Sequence, residues 1–353
     1  MPASNGYWLA VSVIFGLTVG SFLNAVIYRL GQEPPLSLLE PKTSICPSCR
    51  HPLGAMDLVP VLSFLWLKGR CRYCKCSISW RYCGVELLTA ALFGVMYLAG
   101  PGMAQPFTTI SLQLYAATLV PVFFIDLATF TIPDSLNILL LVIPVALDVY
   151  GILNHLPGHA LADGWLPLSV MGALVGALIF GAVRVAGWLW KRVEAMGLGD
   201  VLLARGMGAM LVCMAGVGHN PLWLFPSWVL LSCLSGIVVG PLLIWQRQRT
   251  ALKHPPVTSP PPAQEETVAD EETGGLTREL TDIAWCLVLG DLWHYVVSRV
   301  RKQPLSVVEL PVEPWTPLPS AIPFGPFLVI GFFAALLWGG PLTTAYLHYA
   351  LHR

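Results

Sequence analysis

Eight apolar stretches, each roughly as long as a bilayer is thick, constrain this chain more than anything else in it. They lie near 7–28, 84–100, 107–125, 135–153, 166–190, 198–217, 222–245 and 324–350. In hydrocarbon every backbone N–H and C=O must be satisfied inside the protein, so such stretches fold as spanning helices. Composition agrees: 55% of residues are hydrophobic and 11% charged, against about 25% charged in a soluble globular chain. The expected fold is an all-α polytopic membrane protein of about eight transmembrane helices. The first stretch has no basic residue ahead of it and is too long for the apolar part of a cleaved signal peptide. The zero net charge names no partner class, and no nucleic-acid partner is expected beside the lipid bilayer.

Basic residues orient the helices. Eight fall between Arg29 and Arg81, two more are Lys191 and Arg192, and seven lie between Arg247 and Lys302. The loops near 101–106, 154–165 and 218–221 carry none. The positive-inside bias therefore puts the N-terminus outside and the 30–83 and 246–321 loops in the cytoplasm. This divides the chain into a first helix (1–29), a cytoplasmic module (30–83), a six-helix core (84–245), a cytoplasmic linker (246–321) and a last helix (322–353).

The first loop holds Cys46 and Cys49 in CPSC and Cys71 and Cys74 in CRYC. Two C-x-x-C pairs at this spacing are the pattern of a four-cysteine zinc site. A closed four-thiolate site is structural, stapling a loop too small to build its own core. Cys76 and Cys83 are extra, and Cys76 competes as a ligand. The cytoplasmic side argues against disulfides.

Two aspartates stand at ends of apolar segments. Asp126 lies in VFFIDLATFTIPD, and Asp200 closes GLGD, which begins at Gly197. An ionisable residue beside a bilayer is a functional candidate by default. The topology, set without them, places both at the cytoplasmic boundary. Two carboxylates sharing a proton supply both the base that activates water and the acid that protonates a leaving nitrogen. Gly197 and Gly199 are expected to allow close backbone approach. Asp200 opens a helix, where the dipole favours charge, and Asp126 ends one, where it does not. Asp134 reads as a helix cap, Asp148 lies too deep to join, Asp291 is a decoy, and Arg205 reads as a snorkelling boundary residue. His155 and His159 read as surface residues of an outer loop. Gly172, Gly176 and Gly181 suit close helix packing.

The chain resembles the type IV prepilin peptidases, GxGD intramembrane aspartic proteases. The resemblance is carried by GSFLNAVIYRL (20–30), CPSC, DLVPVLSFLWLKGRCRYC (57–74), RYCGVELLTA (81–90), IDLATFTIPD (125–134), GLGD and IPFGPFL (322–328), in the family's order. It implies a bacterial inner-membrane enzyme that cuts the leader from prepilins and pseudopilins at the cytoplasmic membrane face, serving a pilus or type II secretion machinery. It also implies N-methylation of the new terminus with S-adenosylmethionine. The family's catalytic aspartates fall on Asp126 and Asp200, and its cysteine loop on Cys46, Cys49, Cys71 and Cys74. Three features depart from the family. Leu202 stands where a lysine is usual, Cys83 where a proline is usual, and the second cytoplasmic loop is long.

Within that loop, 253–275 is rich in proline and acid and reads as a disordered tether. Residues 280–300 are apolar but charged at intervals, which suits a helix lying on the membrane. No methyl-donor pocket is legible. The alternatives are a peptidase without methyltransferase activity, a transporter using the aspartates as a proton relay, and an anchor presenting the zinc module to a partner.

Overall fold

The computed structural model describes residues 3–32, 35–37, 44–160, 166–191, 196–215, 221–253 and 322–351. The tether at 254–275 and the 280–300 segment lie outside the described residues. The described chain is helical, with three isolated β-bridges and no strand. Eight long helices coincide with the eight apolar stretches. They are α1 (Ala3–Leu30), α3 (Trp80–Ala99), α4 (Pro106–Thr129), α5 (Asp134–Leu153), α6 (Leu168–Lys191), α7 (Leu198–Ala215), α8 (Pro221–Lys253) and α9 (Gly325–Leu351). A five-residue helix, α2 (Leu62–Trp66), lies in the cysteine loop. Six of them, α1, α3, α4, α5, α6 and α8, are long and apolar enough to cross a membrane. Apolar side chains such as Ile14, Ile237 and Val238 stand exposed on these helices, as lipid-facing side chains do. The chain is a multi-pass membrane protein. It divides into two compact units, Met1–Leu168 and Ser169–Arg353.

In the first unit, α1 and α3 run antiparallel and touch through glycine. A Cβ at Gly16 would lie 2.8 Å from the Ala90 Cα, and one at Gly20 would lie 2.7 Å from the Glu86 Cα. Only a residue without a side chain lets the backbones come this close. The same face continues to Asn24, whose Nδ2 donates to the Tyr82 carbonyl at 2.9 Å. Helix α3 starts at an N-cap serine, Ser79, whose hydroxyl accepts from the Arg81 N–H. Gln113 of α4 donates to the Phe93 carbonyl at 3.2 Å, tying the third long helix to the second.

Helix α4 starts on Pro106, where a missing N–H costs nothing. It stops at Phe130, a left-handed C-cap with φ 58° whose N–H returns to the Asp126 carbonyl at 2.9 Å. The chain reverses through Pro133 into α5. Asp134 is the first residue of that helix and Pro133 occupies the cap position. Asp134 thus complements the helix dipole from the first turn and is not the cap itself.

At the far end of α5 the loop folds back on the helix. His159, expected at the surface, is buried, and its Nδ1 lies 3.0 Å from the Asp148 carboxylate, also buried. Gly151 makes room, since a Cβ there would overlap the imidazole. A carboxylate in an apolar helix needs a partner, and the loop supplies it. His155, by contrast, is exposed.

In the second unit α6 and α7 cross at glycines, as expected for Gly172 and Gly176. A Cβ at Gly172 would come within 2.3 Å of the Gly208 carbonyl oxygen, and one at Gly176 within 2.4 Å of that of Ala204. Residues 201–214 of α7 are buried without a break. Trp228 of α8 donates its indole N–H to the Leu328 carbonyl of α9 at 3.1 Å.

The Asp148–His159 contact is open to test. Replacing His159 by Leu takes the imidazole away from a buried carboxylate and is expected to cost about 3 kcal/mol. The unfolding midpoint in detergent should fall, and an unchanged midpoint would show that the loop is not held by this pair.

Candidate active site and cysteine module

The cysteine loop contains one turn built twice. In the first knuckle the Cys46 N–H donates to the His51 carbonyl at 3.0 Å and the Arg50 N–H to the Cys46 carbonyl at 2.8 Å. In the second, the Cys71 N–H donates to the Cys76 carbonyl at 2.9 Å and the Lys75 N–H to the Cys71 carbonyl at 3.1 Å. Arg50 and Lys75, at equivalent positions, both have positive φ, 56° and 61°. An isolated bridge closes each turn, Ile45 to Pro52 and Arg70 to Ser77. Backbone N–H groups turn onto the sulfurs: those of Cys49 and Ser48 onto Cys46, that of His51 onto Cys49, and that of Cys76 onto Cys74. Burial alone would raise the Cys46 thiol, but these donors outweigh it and hold the thiol below its ordinary value.

The sulfurs of Cys46, Cys71, Cys74 and Cys76 all lie within 4.8 Å of one another. Cys46 and Cys74 are 4.0 Å apart, and Cys74 and Cys76 3.0 Å. A zinc ion with Zn–S near 2.3 Å spaces tetrahedral sulfurs by about 3.8 Å, so the cluster fits zinc after sub-ångström adjustment. Cys49, which the paired spacing nominates, is exposed and interacts with the sulfurs of Cys46 and Cys74. Five thiols thus gather where four would hold a metal ion. None of the described cysteines forms a disulfide.

Asp57 locks the two knuckles together. Its carboxylate accepts from Arg72 Nε at 2.6 Å, the Gly54 N–H at 3.1 Å and the Tyr73 hydroxyl at 3.2 Å. Tyr73 stacks on His51 with ring centroids 3.7 Å apart. Burial would raise the Asp57 carboxyl; Arg72, the Gly54 N–H and Tyr73 outweigh it and hold it below the usual range. The loop docks on α3 through Glu86, whose Oε2 accepts from the Val61 N–H at 2.7 Å. Val61 sits in a γ-turn, φ 60° and ψ −47°, closed by the Leu62 N–H on the Pro60 carbonyl. This conformation is rare and strained for a β-branched residue.

The two aspartates fall on different units. Asp126, in the last turn of α4, is buried. Asp200 lies in the first turn of α7, partly exposed, with its N–H on the Gly197 carbonyl at 3.2 Å. Gly197 does not have positive φ, and a Cβ there would rest in ordinary contact, 3.5 Å from Asp200 Oδ2. Arg184 of α6 reaches the segment ahead of it, donating Nη1 to the Met196 carbonyl at 2.7 Å. Arg205 is buried, so it packs inside the protein and does not snorkel to the boundary. Leu202 is buried too.

Asn137 was not nominated by sequence. It is fully buried, and among the described residues neither amide atom has a hydrogen-bond partner. Asp126 lies four residues before Phe130, the C-cap of α4, and Asn137 four after Pro133, the N-cap of α5, each joined to that cap by an i to i+4 bond. Both therefore sit about 6 Å into the same hairpin, at matching depth. An unpaired amide costs stability and persists where something other than stability keeps it. The signal available in sequence was its place one turn after IPD.

The chain matches the Bacterial Peptidase A24 N-terminal domain over residues 14–99 and the Type IV leader peptidase family over residues 113–241. A prepilin leader peptidase/N-methyltransferase of Aeromonas hydrophila is 36% identical over 265 residues, covering 68% of this chain and 83% of that protein. The chain belongs to the type IV leader peptidase family. A family member from Myxococcus xanthus (strain DK1622), of the same name, is 32% identical over 343 residues, 96% of this chain and 93% of its own. One from Pectobacterium carotovorum subsp. carotovorum is 33% identical over 267 residues, 69% and 85%. No solved structure matches. Membership makes the protein a peptidase with methyltransferase activity. The leader peptidase match takes in Asp126, Asn137 and Asp200, and the N-terminal match takes in the whole cysteine module.

Asn137→Leu separates a functional amide from a structural one. Removing an unpaired buried amide should leave the unfolding midpoint unchanged or raise it, by up to about 1–3 kcal/mol, while peptide cleavage falls. A lowered midpoint would show that the amide is a structural element.

Proposed function

We propose that this protein cuts the leader from prepilins and pseudopilins at the cytoplasmic face of the bacterial inner membrane, with Asp126 and Asp200 as its catalytic pair. The observation that carries this is the pair's setting within the leader peptidase match: one carboxylate buried in the last turn of an apolar helix, the other in the first turn of the next unit's most buried helix. Asp200, at a helix N-terminus, where the dipole favours the ionised form, takes the proton from the attacking water. Asp126 gives its proton to the leaving nitrogen. The water oxygen forms the new C–O bond and the C–N bond breaks; Asp200 then holds the proton from water, the proton from Asp126 is on the released amine, and one transfer from Asp200 to Asp126 resets the pair. Gly199 keeps the backbone ahead of Asp200 free of side chain, and Arg184 fixes that segment through Met196.

The basic flanks of the helices support the cytoplasmic orientation, and the relatives' names support prepilin as substrate. The same names support methylation of the new N-terminal amine with S-adenosylmethionine, which supplies an electrophilic methyl group. Pilus or type II secretion machinery then receives the product. Zinc in the cysteine module, held by Cys46, Cys71 and Cys74 with Cys49 or Cys76 as the fourth thiolate, is structural.

Purified enzyme mixed with a prepilin, with products resolved by mass, tests the peptidase reading. Wild type should remove the leader, and Asp126→Asn and Asp200→Asn should each lose at least a thousandfold in rate, about 4 kcal/mol of barrier. Undiminished cleavage by both variants would sink the reading. A mass gain of one methyl on the mature product tests the second activity. Metal analysis tests the module: Cys49→Ser and Cys76→Ser should each retain zinc and the double variant should lose it. Loss in Cys49→Ser alone would assign the fourth position to Cys49 and remove Cys76 from the site.

A further inference from the structure

The loop between α1 and α3 turns back along the helices it joins. The Leu58 carbonyl accepts from the Ser21 hydroxyl of α1 at 3.3 Å, and the Val61 N–H donates to Glu86 Oε2 of α3 at 2.7 Å. Ser21 lies nine residues before Leu30, the end of α1, and Glu86 six residues after Trp80, the start of α3. These anchor points therefore sit about 13 Å and about 9 Å inside the helix ends. Helix α3 has 20 residues, which gives it a length of about 30 Å, the thickness of the hydrocarbon core. Crossing takes its whole length, so Trp80 stands at the boundary and Glu86 below it. The turn from Leu58 to Val61 is at hydrocarbon depth.

Its backbone is closed as a bilayer demands. The N–H groups of Leu58, Leu62, Ser63, Leu65 and Leu67 all find carbonyls inside the loop, and that of Val61 finds Glu86. No water is at hand at that depth to do the same. The side chains of α2 divide in two. Phe64 is buried and packs on Trp80, with ring centroids 4.7 Å apart. Leu62, Leu65 and Trp66, spaced i, i+3 and i+4, share the opposite face and are exposed, Trp66 by 86%. Phe22, next to Ser21, and Leu87, next to Glu86, are exposed too, so the apolar face of α2 continues the lipid-facing surface of α1 and α3.

Charge completes the pattern. From Ser44 to Arg81 the loop carries six basic residues and one acid, Asp57, which Arg72 already holds. Phe64 meets Trp80, so α2 climbs from the Glu86 level back to the boundary. There Trp66 and Trp80 stand where aromatic belts stand, and exposed Lys68 and Arg70 come next. Arg81 is exposed in the first turn of α3. A cation there opposes the helix dipole, and an anion outside the helix offsets that cost.

We propose that the segment from Leu58 to Arg70 is a membrane-docking surface whose partner is anionic phospholipid. Leu62, Leu65 and Trp66 enter the acyl region, and Lys68, Arg70 and Arg81 hold the headgroups. The cysteine module is thereby pinned to the bilayer surface by its own loop, whichever leaflet that is.

The full chain in nanodiscs tests this through Trp66, read as the fluorescence difference between wild type and Trp66→Phe. Phospholipid brominated on the acyl chain near the glycerol should quench most of that difference, and iodide in the water should leave it unchanged. Quenching by iodide and not by brominated lipid overturns the proposal. So does a Trp66 that is open to iodide until a prepilin is added, which would make this face a protein dock. If Trp66→Phe does not fold, wild type is irradiated in lipid carrying an acyl-chain diazirine. Label on the peptide containing Leu62, Leu65 and Trp66 supports the docking, and label confined to peptides of α1 and α3 overturns it. Phosphatidylglycerol titrated onto the delipidated chain, with bound lipid counted by native mass spectrometry, tests the headgroup contacts. At roughly fivefold per charge, the Lys68→Gln/Arg70→Gln/Arg81→Gln variant should bind it at least about tenfold more weakly, with phosphatidylcholine unaffected. In wild type the same binding should weaken as salt is raised. Salt-independent binding, or unchanged affinity in the folded variant, overturns the assignment of these three residues.

Discussion

The shortage of water along the spanning helices governs where this protein can place a polar group. In such surroundings an unpaired amide or carboxylate is costly, and the helices respond with specific bonds. Asn24 donates to the Tyr82 carbonyl, Gln113 to that of Phe93, Arg184 to that of Met196 and Trp228 to that of Leu328. Asp148 takes the His159 imidazole. Each bond joins two segments, so satisfying the side chain also fixes a helix register or a loop. Against that background Asn137, at the depth of Asp126, stands out as the buried amide whose atoms the described residues leave unsatisfied.

Glycine provides the second organising contact. Bilayer lipid offers helices no hydrophobic reason to associate, so close packing must supply the attraction. The α1–α3 pair meets at Gly16 and Gly20, and the α6–α7 pair at Gly172, Gly176 and Gly208. The first contact brings α1 onto α3 at Glu86, the residue on which the cysteine loop docks. The second packs α6 against α7, the helix whose first turn carries Asp200.

Much of this was readable from the chain. All eight apolar stretches are helices, because a segment in hydrocarbon has one way to satisfy its backbone. The duplicated C-x-x-C spacing marked the module, because a knuckle needs both thiolates on one turn. Other residues misled for a shared reason. His159 read as surface because its loop is polar, yet it folds onto Asp148; Arg205 read as a boundary residue because it is charged, yet it is buried. Cys76, outside the C-x-x-C pairs and read as a competing ligand, has its sulfur in the cluster because the repeated turn carries it there.

The sequence by itself determined the helices, the membrane class and the clustering of cysteines, since these follow from composition and short-range spacing. The tertiary structure alone decided which polar groups find partners and which segments meet. Glu86 is an ordinary glutamate in the string RYCGVELLTA. It becomes the anchor of a strained turn only because Gly20 lets α1 pass within contact of it, and no local pattern records the meeting of residues so far apart in the chain.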